Sequence, residues 1–368
     1  GTREWSVRRN SIGQPRSGRK ERPTRWRNDV GKGTIRIQMN FISRNRKRRA
    51  IITGIAGQDG SYLAELLLGK GYEVLGFVKK NEPVDLLRPI IQQLKIEETK
   101  QQEFESMSRA IRSFSPQEIY NFAAVSFIPA SWDDPVGTLE TNTLLAMRLL
   151  ETFRVACPTA RFYQASSSEI FGNPIASPQD ENTLFQPVTP YGVSKLATHL
   201  LAGLYRKRYR LYVSCGILYN HESPRRPGHF VMQKIARAAA EVSLGTGRRF
   251  QLGNIEARRD WGFAGDYVRG IWLMLQQETP DDYVLGTGEA HSVRDILEIA
   301  FTYVGSHWEQ WVNTDPEMIR PVEVGNLVAN PARARSRLGW VPGIPFPDLV
   351  RMMVDAQREK LRIAGKEP

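Results

Sequence analysis

Tyr191 and Lys195 stand four residues apart in the run Pro190-Tyr191-Gly192-Val193-Ser194-Lys195. On a helix that spacing puts both side chains on one face. A phenol ordinarily keeps its proton to about pH 10. An ammonium group beside it favours the phenolate, so such a pair can take or give a proton near neutrality. Upstream, Ala165-Ser166-Ser167-Ser168-Glu169 closes a strand-like run. A hydroxyl at the carboxyl end of a sheet strand can hold a substrate oxygen, which joins Ser167 to Tyr191 and Lys195 in one constellation. Glu169, two residues beyond that hydroxyl, brings a carboxylate. Such a group can remove a proton from carbon next to a newly formed ketone. These four are the candidate catalytic residues.

A second feature supplies a partner for that chemistry. Gly54, Gly57 and Gly60 are spaced G-x-x-G-x-x-G between a short β run at 48–53 and an apolar, helically spaced stretch at 61–68. Glycines let the backbone turn tightly and approach a pyrophosphate, and the next helix aims its N–H groups at the anion. A second strand is expected over 72–78. Past its end stand Lys79 and Lys80, where an enzyme for NAD carries an acid for the ribose 2′-hydroxyl. Two cations suit a 2′-phosphate instead, which favours NADP.

The elements that must position these groups follow from the apolar pattern. Strands are expected at 118–124, 161–166 and 211–218, and helices near 104–114, 138–157 and 190–209, with 81–118 otherwise weakly patterned. Strands alternating with helices give a Rossmann-type, doubly wound α/β fold with a mostly parallel sheet. Beyond 220 the pattern loosens around helices near 231–244, 266–277, 293–304 and 345–360. The expected organisation is a basic, disordered tail at 1–47, a dinucleotide-binding domain at 48–220, and a smaller C-terminal lobe at 221–368. Some segments of that lobe return to the first domain.

The charge locates the tail. Residues 1–50 hold 16 Lys/Arg against 3 Asp/Glu, while the other 318 residues hold 35 against 36. The net charge of +12 is therefore confined to the first segment and gives no reason to expect a nucleic-acid partner for the folded body. Met39 is the expected start of the native chain. No run is apolar enough to span a bilayer, so no membrane partner is expected. Cys157 and Cys215 show no metal-ligand spacing, and no metal is expected. Nothing suggests a disulfide framework, so a reducing compartment, the cytoplasm, is expected.

Several segments are specific enough to carry a resemblance: Thr53-Gly54 with Gly57-Gln58-Asp59-Gly60-Ser61-Tyr62-Leu63-Ala64, Arg161-Phe162-Tyr163-Gln164-Ala165-Ser166, and Tyr191-Gly192 with Lys195. To these are added Asn220-His221-Glu222-Ser223-Pro224-Arg225-Arg226, Arg259-Asp260-Trp261-Gly262, and Arg320-Pro321 with Glu323. From residue 51 to about 357 the chain resembles the extended short-chain dehydrogenase/reductase family, and within it the GDP-mannose 4,6-dehydratase type. The resemblance implies that Gly54, Gly57, Gln58, Asp59 and Gly60 line the NADP pyrophosphate, and that Ala123, Ala124 and Ser126 pack along the nicotinamide. It implies that Tyr191 and Lys195 also hold the nicotinamide ribose, with His221 and Arg226 as further cofactor contacts. Ser168, Asn220, Lys234, Arg259, Arg320 and Glu323 would hold the substrate, GDP-mannose. The implied reaction is internal redox through bound NADP with loss of water, in a homo-oligomer (dimer or tetramer). A reductase or epimerase of the same fold, or a non-catalytic scaffold, is the alternative. The chain departs from the family pattern in four ways: Ser167 stands for Thr, Thr99-Lys100 for Gly-Asp, Gln233 for Arg, and the Arg-Ser-Ser run after Lys80 is missing. These departures concern mainly the adenine end and the subunit contact.

Overall fold

Strand β1 (Arg49–Thr53) buries Ile51 in one apolar core and Ala50 and Ile52 in another. A strand apolar on both faces belongs inside a covered parallel sheet. That is where the computed structural model, which describes residues 47–99, 104–315 and 326–365, puts it. Residues 1–46, Lys100, Arg320 and Glu323 lie outside the described residues. The expectations about the tail and about those three residues therefore lie outside it as well.

The sheet runs through β2 (Glu73–Lys79), β3 (Lys95–Thr99), β4 (Glu118–Asn121), β5 (Arg161–Ala165), β6 (Tyr212–Leu218) and, from the C-terminal part, a strand at Tyr283–Leu285. Among the described residues all of its pairings are parallel. β1 lies between β2 and β4, so the order reverses beside it and leaves a crevice at the strands' carboxyl ends. The helices covering the sheet are α1 (Gln58–Gly69), α2 (Phe104–Phe114), α3 (Ile128–Asp133), α4 (Pro135–Leu139), α5 (Leu145–Ala156) and α6 (Pro190–Tyr209). The single helix expected over 138–157 is instead α4 and α5 joined by a π-helical turn at Glu140–Leu144. Such turns often mark sites of function. This one carries Asn142, buried, whose side-chain amide donates to Ser194 Oγ on α6 at 2.9 Å and whose Oδ1 accepts from Val125 N at 2.7 Å. The π turn thus ties α6 to the loop after β4.

A further core lies beyond β7 (Asn220–Glu222). It joins α7 (Val231–Ser243) to two helices near the C-terminus through Met232, Ile235, Leu297, Phe301, Leu349 and Met353. The chain between them runs through β8 (Phe250–Leu252), β9 (Arg258–Arg259), β10 (Trp261–Phe263), α8 (Ala264–Met274) and the sheet strand β11 (Tyr283–Leu285). β12 (His291–Ser292), α9 (Val293–Tyr303), β13 (Val312–Thr314) and α10 (Phe346–Ala364) complete it. The short strands pair two by two: β10 with β7, β12 with β9, and β13 with β8.

Candidate active site

The carboxyl ends of β1 to β6 open into one cleft of about 660 Å3. Gly54, Gly57, Gln58, Asp59 and Gly60 border it from the turn after β1, and Lys79 and Thr99 from the ends of β2 and β3. Ala123, Ala124 and Ser126 follow from the β4 exit, Ser167, Ser168 and Glu169 from the β5 exit, and Tyr191 and Lys195 from α6. Asn220, His221, Arg226, Lys234 and Arg259 face in from the C-terminal part. Lys80 is exposed and does not line the cleft. Lys79, the last residue of β2, is exposed at the cleft's edge, and Lys80 lies in the turn beyond the strand, so only one of the two lysines borders the cleft.

The glycine turn has the form a dinucleotide needs. Gly54 has φ 69°, a conformation that side chains disfavour, and a Cβ on Gly60 would lie 2.3 Å from Gly54 O. Helix α1 begins after Gly57, which has no side chain to cap the first turn. The N–H groups of that turn border the cleft beside the helix's positive end, where a pyrophosphate fits.

The wall opposite is charged and ordered. His221 Nδ1 lies 2.7 Å from the Tyr219 carbonyl oxygen and Nε2 lies 2.9 Å from Asp59 Oδ2. Its ring stacks on Tyr267 at 4.7 Å. Burial opposes charge on both partners, yet their mutual attraction prevails: His221 is held above its ordinary pKa and Asp59 below. Gln58 Nε2 donates to His221 O at 3.1 Å, and Ser223 Oγ donates to Gln58 Oε1 at 2.7 Å. Gln233 Nε2 donates to the carbonyls of Ser223 and Arg226 at 3.1 and 3.0 Å. This neutral amide therefore anchors the Asn220–Arg226 segment from a position only 2% exposed, where a cation would be costly to bury.

At the centre, Thr189 caps α6 by accepting from Gly192 N at 2.9 Å, and Tyr191 N donates to Ser131 Oγ at 3.2 Å. Ser167 Oγ accepts from Glu169 N at 3.2 Å and stands close enough to the Tyr191 phenol to favour its ionised form. Glu169 and Tyr191 are both buried. The expected lowering of Tyr191 by Lys195 is not what these surroundings produce. Burial pushes the phenol up to about 12, with the Glu169 carboxylate adding to the rise and Ser167 opposing it. Burial also brings Lys195 down to about 8. The ammonium points at the Ala165 carbonyl, 3.0 Å away, and sits 5.8 Å from the Tyr191 ring centroid.

Some lining residues were not anticipated. Phe127 meets His229 at 4.4 Å and Phe230 at 5.9 Å, and the Arg226 guanidinium lies 3.7 Å above Phe230. Their only sequence signal is aromatic residues in the loops after β4 and before α7. Glu222 is buried beside Arg226, at 3.5 Å, and burial raises its pKa. Glu82, in the turn after β2, also lines the cleft, and its Oε2 accepts from Lys79 N at 2.8 Å.

Comparison with known proteins agrees with this layout. A family model described as GDP-mannose 4,6 dehydratase matches residues 51–353. "GDP-mannose 4,6 dehydratase 2" of Arabidopsis thaliana is 43% identical over 338 residues, covering 87% of this chain and 89% of that one. "GDP-mannose 4,6 dehydratase" of Homo sapiens is 39% identical over 342 residues, covering 85% and 92%. Among solved structures, the dTDP-glucose 4,6-dehydratase DesIV from Streptomyces venezuelae, with NAD and TYD bound, superposes with a TM-score of 0.77 at 23% identity, over 86% of this chain and 98% of that one. A UDP-glucose 4-epimerase from Thermotoga maritima gives a TM-score of 0.77 at 21% identity, over 85% and 99%. At that identity these structures speak for the fold.

Proposed function

We propose that this chain, which belongs to the GDP-mannose 4,6-dehydratase family, converts GDP-mannose to GDP-4-keto-6-deoxymannose and water with a bound nicotinamide dinucleotide. Lys79 at the ribose end is what favours NADP. Gly54, Gly57, Gln58, Asp59 and Gly60 hold the pyrophosphate. Ala123, Ala124 and Ser126 flank the nicotinamide, and His221 and Arg226 close the wall. Asn220, Lys234 and Arg259 hold the GDP moiety, with Ser168 towards the sugar. Arg320 and Glu323, whose substrate roles rest on the family resemblance, lie outside the described residues.

Tyr191 takes the proton from the sugar O4 as its phenolate, a form that the cationic nicotinamide of a bound oxidised dinucleotide would favour over the neutral phenol of the empty cleft, and Ser167 shares the hydrogen bond to that oxygen. When bound, the dinucleotide supplies the two-electron acceptor and donor that oxidises C4 and later completes the methyl group at C6. The new ketone acidifies the proton on C5, which Glu169 removes. Glu169 then protonates the C6 hydroxyl as it departs as water, and C5 regains a proton. Lys195 offers a positive charge near the phenol and hydroxyl-binding capacity at the same wall.

One observation carries the reading: Glu169 is buried in the cleft beside Tyr191, close enough for its charge to raise the phenol's proton affinity. Acid–base steps of this kind contribute roughly 100- to 10,000-fold. Glu169→Gln is therefore expected to lose product formation by about that factor while still binding the dinucleotide. The assay follows a nucleotide-sugar product lighter by one water, and wild-type turnover in the variant would count against the assignment. We further infer a homo-oligomer and a cytoplasmic setting. The second is in keeping with two free, buried cysteines.

A further inference from the structure

The ribose end of the cleft is built with two opposite charges. Lys79 ends β2 exposed at the edge of the cleft, and Glu82 lines the same cleft three residues later. The intervening turn is closed twice: Glu82 Oε2 accepts from Lys79 N at 2.8 Å, and Glu82 N donates to Lys79 O at 3.0 Å. Asn81 holds the turn with a φ of 61°. The carboxylate is thereby fixed at the strand end, with lone pairs left over for another donor. Glu82 stands 22 residues after Gly60. An acid roughly 20 residues beyond the glycine turn is the group that accepts a hydrogen bond from the 2′-hydroxyl of NAD. A 2′-phosphate at this place would gain from Lys79 and meet repulsion from Glu82, while Lys80 does not border the cleft.

We infer that the chain takes NAD as well as NADP, with Glu82 the residue that accepts the 2′-hydroxyl of NAD and Lys79 the one that receives the 2′-phosphate of NADP. The inference rests on the dinucleotide site of the proposed function and narrows it: the sequence, read through Lys79 and Lys80 alone, favours NADP.

The test is titration of the full chain with each dinucleotide in the absence of sugar, read by calorimetry. The two affinities are expected to agree within a factor on the order of thirtyfold, about 2 kcal/mol. Glu82→Gln, which can still accept the bond from Lys79 N, should shift the ratio towards NADP by about tenfold or more. Lys79→Gln should shift it the other way. A larger NADP preference in the unaltered chain, or a ratio unmoved by Glu82→Gln, would overturn the inference. Binding of neither dinucleotide would overturn it together with the functional reading. Binding of both without dehydration of GDP-mannose would sink only that reading.

Discussion

A carbonyl oxygen and a carboxylate oxygen are acceptors only, and His221 points one ring nitrogen at each. Both nitrogens must donate, so the ring is an imidazolium paired with the Asp59 carboxylate. The consequence for stability has a definite sign. His221 has a raised pKa, so its contribution is complete below the unfolded value of about 6.5 and fades as pH climbs through the raised folded one. Asp59 has a lowered pKa, so its contribution is complete above the unfolded value of about 3.9 and fades as pH drops through the lowered folded one. The pair therefore stabilises most in the mildly acidic range between. Leaving one buried partner alone costs about 3 kcal/mol. His221→Gln should lower the urea midpoint by a corresponding amount at pH 6, and the gap to the unaltered chain should narrow by pH 9. A gap constant across that range would mean that the ring is neutral. The same reasoning applies in reverse to Tyr191 and Lys195: sequence spacing promised mutual help, whereas burial shifts each away from its charged form.

Helix α6 does more than carry Tyr191, because its first turn also supports the acid. A Cβ on Gly192 would lie 2.7 Å from the Glu169 carbonyl oxygen and 3.2 Å from Pro187 Cβ. Gly192→Ala must therefore push the backbone of Glu169, and a displacement of that order at a reacting group costs about 100-fold. Turnover should fall by about that factor, with dinucleotide affinity unchanged within a few-fold. Normal turnover would show that the contact can relax. Helix α6 was legible from its apolar pattern and the Tyr191/Lys195 spacing, and the structure adds Thr189 as its cap and Pro190 in its first turn. β5 and β6 were legible as buried apolar runs. β3 was not, since Lys95-Ile96-Glu97-Glu98-Thr99 lies at the sheet edge with little to bury. The π turn was hidden because one extra residue in a turn leaves the apolar pattern of 138–157 helical. The paired strands after residue 220 are two or three residues long, too short for any period to register. Within the site, the glycine turn and the Ser167, Tyr191 and Lys195 set were legible from local spacing. Glu82 and the Phe127, His229 and Phe230 group were not, because folding alone brings those loops to the cleft.

At the scale of the whole molecule, one surface argues for a second copy of the chain. Val193, Leu200 and Leu204 on α6 are 46%, 50% and 61% exposed, at intervals that fall on one helix face. Leu144, Met147 and Val155 repeat the pattern at 48%, 40% and 60% across the π turn and α5, which packs beside α6. Single exposed apolar residues are ordinary, but two adjoining stripes make a continuous patch of the kind that marks an interface. Among the described residues nothing covers it. A two-fold pairing would lay the stripe of each chain on that of the other, so every apolar residue is used twice by a single surface. This is the homo-oligomer we infer, and a charge in the middle of the stripe tests it. Leu200→Glu with Leu204→Glu should leave the fold intact, since neither side chain supports the core, yet halve the mass seen by light scattering at micromolar concentration. A mass unchanged by both substitutions would place the subunit contact elsewhere, and a monomer before substitution would remove the case for one. Because α6 also carries Tyr191 and Lys195, loosening the pair should lower turnover too, and restoring leucine at one position should recover part of the mass and of the activity together.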